Sequence, residues 1–158
     1  MTLTTYDEEL CRKIEPHVST TRERFEVLMR CKELGIPTLV WMTPILPFIN
    51  DTRENIEGLL DYCLLAGVQG ILVFDVGVTL REGDREYFYQ ALDRDFPSIR
   101  QKYISTYGNA YDIPSPYAKE LMALIQNTCV ANGMLCSPKE CFTYLHEFPE
   151  RYVQQTLF

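Results

Sequence analysis

Apolar, β-prone residues gather in three short runs, Thr2–Thr5, Thr38–Thr43 and Gly70–Val76, and apolar residues between them recur at helical spacing. The second and third runs are apolar almost throughout, the pattern of strands covered on both faces, which favours a parallel sheet. The first intervening helix is predicted from Thr20-Thr21-Arg22-Glu23, a capping box with a hydroxyl at the cap and Glu three residues on. Phe25, Leu28 and Met29 follow on one face, and Gly35 stops it. The second starts at Asp51-Thr52-Arg53-Glu54, carries the stripe Ile56, Leu59, Leu60 and Cys63, and closes at Gly67. A short extra helix is predicted over Asp7–Ile14, ended by Pro16.

Beyond Val78 the pattern changes. Short aromatic-rich helices are predicted at Glu86–Leu92 and Ser98–Thr106. A long helix runs from Ser115-Pro116 to Asn132, and a last one from Ser137-Pro138 through His146. The tail, Arg151–Phe158, is read as a docked or frayed end. The expected fold class is α/β. Three parallel βα units span residues 1–78, half of a partial TIM-type barrel, and a helical C-terminal extension spans 79–158 and packs on them. Three strands are too few to close an eight-stranded barrel, and such a sheet leaves two open edges. Either the C-terminal helices cover one edge or the chain is part of something larger.

The length of 158 residues fits one domain with a real core, and 46% hydrophobic and 23% charged residues are ordinary values. The balance of 15 Lys+Arg against 22 Asp+Glu, net −7, gives no support to nucleic-acid binding, which rests on a basic face. Arg81, Arg85, Arg94, Arg100 and Lys102 alternate with acidic residues as a self-paired surface does. No apolar stretch approaches the about 18 residues of a membrane span, and the N-terminus shows no secretory signal, so a cytoplasmic location is expected. Six cysteines then read as buried thiols. Cys129, Cys136, Cys141 and His146 are separated by six, four and four residues, unlike zinc-binding pairs, and no metal site is expected.

Candidate chemistry lies at the strand ends, where parallel α/β folds present ligand-binding groups. Thr4 and Thr5 end the first run, Pro44, Asn50 and Asp51 follow the second, and Phe74 and Asp75 end the third. Asp51 is also explained as a helix cap, and Thr4 and Thr5 as ordinary strand residues. Asp75 follows Ile71-Leu72-Val73-Phe74, where an unpaired carboxylate is expensive, so it should reach the rim or a partner. His17 and His146 define no triad. The run Leu80–Glu86 has no phosphate-loop pattern, and Arg81 reads equally as a rim cation or a surface ion-pair member.

The order of several segments resembles a known family. Leu10…Ile14-Glu15-Pro16, Thr20…Arg24-Phe25…Leu28, Leu34-Gly35-Ile36-Pro37, Pro44-Ile45-Leu46-Pro47-Phe48-Ile49-Asn50-Asp51 and Ala66-Gly67-Val68 together resemble the C-terminal half of radical S-adenosylmethionine (SAM) proteins of the spore photoproduct lyase-like, "DNA repair photolyase" branch. The resemblance covers about residues 2–78. It implies a partial barrel in which a four-iron, four-sulfur cluster on a CxxxCxxC motif reduces SAM to a 5′-deoxyadenosyl radical. It also places Thr4 and Thr5 near the amino-acid or ribose part of SAM, Pro44–Asp51 in a strand-end loop, and Val73–Asp75 towards the adenine. CxxxCxxC and the glycine-rich segment of the family are absent from this chain. The chain is therefore expected to be part of an enzyme, a truncation, a split subunit or a fragment. A missing cluster-bearing half, or a second copy, would dock on the open sheet edge. The other readings are a small α/β binding or interaction domain without redox chemistry and, last, an aldolase-like lyase, for which no strand-end Lys is present.

Overall fold

Local capping sets where the helices begin. The computed structural model describes residues 1–147, so the predicted tail Arg151–Phe158 lies outside the described residues. Helix α1 (Glu8–Ile14) is capped by the Asp7 carboxylate, which accepts from Leu10 N. Helix α2 (Thr21–Glu33) carries the complete capping box: Thr20 accepts from Glu23 N, and the Glu23 carboxylate accepts from Thr20 N. Helix α3 (Arg53–Ala66) ends on Gly67 at φ 62°, a left-handed turn that favours glycine. Its cap is Thr52, which accepts from Asn55 N; the sequence alternative of an Asp51 cap is corrected here. Helices α4 (Asp84–Asp95), α5 (Ile99–Tyr107), α6 (Ala118–Ala131) and α7 (Pro138–His146) complete the set. Among the described residues, no helix is long and apolar enough to cross a membrane.

The expected fold class is overturned. In place of three parallel βα units, the described residues form seven helices and two two-stranded sheets. Strands β1 (Leu39–Trp41) and β2 (Gly70–Leu72) pair in parallel, whereas β3 (Gly77–Thr79) and β4 (Asp112–Pro114) pair antiparallel. The run Thr2–Thr5 contributes a single parallel bridge, Thr2 to Trp41. The reason lies in where its backbone bonds go. The Thr4 carbonyl accepts from the side chains of Asn50 and Asn55, and Tyr6 N donates to Asn55 Oδ1. Side-chain amides thus satisfy groups that a ladder would otherwise use. The third run is also shorter than expected. After Leu72 the chain turns away, Val76 accepts from Ser115 N, and the direction reverses into β3.

Two apolar clusters form the interior. The larger joins Leu3, Val40, Met42 and Ile71 to the inner faces of α2, α3 and α6, through Leu28, Ile56, Leu59 and Ile125. The smaller gathers Leu80, Tyr89, Leu92, Tyr103 and Ile113 around α4, α5 and the β3–β4 ribbon. On the far side of β2, Leu135 makes a parallel bridge to Gly70, and a Cβ on Gly70 would lie 2.6 Å from the Leu135 carbonyl oxygen. Glycine is required there by close backbone approach.

Candidate functional site

Position in the fold separates the predicted site residues into two groups of opposite character. Thr4, Thr5, Asn50 and Asp51 are all at most 4% exposed. Asn50 uses its amide fully: Nδ2 donates to Thr4 O and Thr5 Oγ1 (both 3.0 Å), and Oδ1 accepts from Leu46 N. Asn55 does the same one turn into α3, donating to Thr4 O and Asn50 O while accepting from Tyr6 N. Thr4 Oγ1 donates to Glu15 Oε1 at 2.6 Å, and Arg24 Nη2 donates to Glu15 Oε2 at 2.6 Å. This lattice ties the chain start, α1, α2 and the loop before α3 together. Its donors are directed at protein acceptors, so it holds shape rather than ligand.

The carboxylates on either side of the 44–51 loop differ in charge preference. Burial pushes the Glu15 carboxyl up, but the hydrogen bonds from Arg24 and Thr4 and the Arg24 charge outweigh it, and the net shift is down. Asp51 is pushed up by burial, which the Ser115 hydroxyl at 2.6 Å and the more distant Lys102 only partly offset. Asp51 faces a separate recess with Thr52, Arg53, Lys102 and Tyr117, apart from the ends of β1 and β2.

Pro44, Phe74 and Asp75 form the second group. They line a groove of about 580 Å³ at the carboxyl ends of β1 and β2, a usual size for a small-molecule site. Phe74 is 56% exposed, and its ring meets the Trp41 indole edge-on at 5.7 Å between centroids. Phe142 of α7 extends the aromatic surface, at 6.4 Å from Phe74. Asp75 reaches the rim as its sequence context requires, and its Oδ1 accepts from Val76 N, which fixes the carboxylate at the groove wall. The opposite wall is the β3–β4 ribbon, from Gly77–Thr79 and Asp112–Pro114. The exposed parts of these two aromatic faces forgo a fraction of the about 1.5–3 kcal/mol that full burial brings, and their clustering at a strand end makes a candidate contact surface. An aromatic wall with one fixed carboxylate suits a planar heterocycle that carries donor groups.

Sequence reasoning missed Trp41, Asn55, Ser115 and the β4 residues. Trp41 was absorbed into a run read as covered on both faces, yet it is 38% exposed. A polar Asn55 in the first turn of an otherwise apolar stripe was the available signal for the lattice. The six cysteines are free thiols; Cys11, Cys63, Cys129 and Cys141 are buried, and burial pushes Cys63 up to about 12. Among the described residues, no group of three His, Cys, Asp or Glu side chains is placed to hold a metal ion.

Comparison with known proteins gives relatives without an assigned activity. The chain is 30% identical over 115 residues to uncharacterized proteins of Mycobacterium tuberculosis, strains H37Rv and CDC 1551, and of Mycobacterium bovis. The match covers 73% of this chain and 33% of each relative, so the chain spans about a third of the length of the curated relatives it matches. No family model matches the chain. No solved structure matches it.

Proposed function

We propose that the groove beside Trp41, Phe74 and Asp75 binds the adenosyl part of SAM, and that the chain serves as a portion of a cytoplasmic radical SAM protein of the spore photoproduct lyase-like branch. The observation that carries the reading is the exposed Trp41–Phe74 pair beside a fixed carboxylate at the ends of two parallel strands. An adenine stacks on such a face, and Asp75 accepts from its amine or from a ribose hydroxyl. The segment order Leu10 to Val68 supports the same family. The length of the curated relatives leaves ample chain for a cluster-bearing segment in proteins of that size.

The fit differs between the two groups the family uses. The groove suits the adenosyl moiety. The iron–sulfur cluster does not fit the described residues, because a cluster needs three or more thiolates converging on one point, and although Cys129 lies beside Cys136, no such group of three forms among the described residues. No step of radical chemistry is therefore assigned to this chain. The cluster, when present, belongs to another polypeptide segment, and this chain's contribution is to bind and orient the adenosyl group.

Equilibrium dialysis against SAM tests the reading. Saturable binding that weakens about tenfold in Phe74→Ala is expected, since stacking of a base on an aromatic side chain contributes roughly 1–3 kcal/mol by alanine substitution. Equal retention by wild type and Phe74→Ala would remove the groove from the account. Anaerobic reconstitution with iron and sulfide is expected to leave the chain without a stoichiometric cluster. One specific observation favours a second reading, a binding module without redox chemistry. Thr4 and Thr5, which the resemblance places near SAM, and Asn50 of the strand-end loop are committed to the internal lattice. Failure of SAM to bind, with cooperative unfolding retained, selects that reading.

A further inference from the structure

A second cavity lies on the other side of Pro44 and Val78 from the groove. It measures about 390 Å³ and opens between the end of α1 and the outer face of α4. Its walls are apolar: Ile14 from α1, Leu46 and Ile49 from the loop before α3, Val78 from β3, and Phe88 and Leu92 from α4. Of these, Leu46 and Leu92 are buried at 9% and 2% exposure. The cavity follows the seam where the smaller apolar cluster meets the lattice-bound start of the chain, and the described side chains leave it open. An apolar void of this size lacks contact partners on one side and gains them when an apolar ligand enters.

Charge at the mouth selects the ligand. Four charged side chains border the cavity: Lys13, Glu15, Arg94 and Asp95. Glu15 is held by Arg24 and Thr4, and Asp95 is held by Arg94 at 2.7 Å. Among the described residues Lys13 makes no ion pair; its ammonium rests over the Phe96 ring, 4.7 Å from the centroid. Thr4, the polar group on the inner wall, already has its hydroxyl bonded to Glu15. Among the described residues the cavity therefore offers an apolar interior with Lys13 at its rim, a cation outside any direct ion pair although its charge reaches Asp95.

We propose that this cavity binds a small amphipathic carboxylate, with the apolar body between α1 and α4 and the carboxylate at Lys13. The proposal does not rest on the adenosyl reading. Pro44 and Val78 border both spaces, so those two side chains stand between an occupant here and an occupant of the groove.

Decanoate, kept below its micelle concentration, is the probe, with decyltrimethylammonium as the cation of matched chain. Methyl NMR signals of Ile14, Ala91 and Val78 are followed on the full chain, and Trp41 emission is read in parallel without SAM. The expected result is a saturable shift of those methyls with decanoate and none with the cation. Lys13→Glu, a change at an exposed position, is expected to weaken decanoate roughly fivefold, the scale of reversing one exposed charge pair. Ala91→Phe, which fills the cavity from α4, is expected to abolish binding while leaving the thermal midpoint unchanged or higher. Equal shifts with both amphiphiles, undiminished binding to Ala91→Phe and Lys13→Glu, or no shift at all would overturn the proposal.

Discussion

The lattice around Asn50 and the groove around Phe74 use opposite chemistry for opposite ends. In the lattice, polar side chains are buried and bonded to one another; in the groove, aromatic side chains stand in water. The groups that look most like ligand-binding chemistry hold the fold, and the groups that look like core face outward. A polar residue near a strand end is thus a site candidate only while it retains an uncommitted donor or acceptor. Asp75 retains one carboxylate oxygen beyond its bond to Val76 N; Asn50 and Asn55 have their amides engaged on both sides.

Substitution should separate the two regions by what is lost. Asn50→Ala leaves Leu46 N and part of the Thr4–Thr5 bonding unmet in a buried setting, and is expected to cost about 3 kcal/mol or more in chemical denaturation. A loss below about 1 kcal/mol would mean that water replaces the amide and the lattice is not a support. Arg24→Met leaves Glu15 with its Thr4 bond alone, and about 2 kcal/mol is expected. Phe74→Ala belongs to the other region; its effect on stability should stay within about 0.5 kcal/mol, as for other exposed positions.

The two carboxylates, half-buried Glu15 and buried Asp51, sharpen the comparison through pH. Glu15 has its folded value below its ordinary 4.5, so its stabilisation is present above that pH and is lost as pH falls through the lower folded value. Asp51 runs the other way. With its folded value above the ordinary 3.8, its contribution is fully present below 3.8 and is lost as pH rises through the folded value. Glu15→Gln should therefore flatten the acid side of the stability profile, and Asp51→Asn should flatten the loss on the side above 3.8. Urea midpoints measured between pH 3 and 7 check both, and curves that change on the same side in both variants would contradict the assignment.

Much of the helical frame was legible because its signals are local. The Thr20–Glu23 box, the Gly67 stop and the Ser137-Pro138 start each involve a few adjacent residues, and each forms as the sequence implies. Strand extent and fold class are less legible, because a ladder depends on partners distant in sequence. Nothing near Thr4 announces that Asn50 and Asn55 will take its carbonyl, and nothing near Gly77 announces its pairing with Pro114. The candidate site was half legible for the same reason. Asp75 was reached from the cost of a carboxylate in an apolar run. Trp41 required knowing that, among the described residues, no element covers its face of β1 closely enough to bury it.

Trp41 is the sole tryptophan of the chain and stands in the groove wall, so its emission reports on the groove. Titrating SAM while recording that emission tests the central claim most directly, with wild type, Phe74→Ala and a mild lattice variant, Thr5→Ser, in parallel. The account predicts a saturable change in wild type, retained in Thr5→Ser and weakened about tenfold in Phe74→Ala. An emission that stays flat through millimolar SAM, or a response lost in Thr5→Ser and kept in Phe74→Ala, would contradict it.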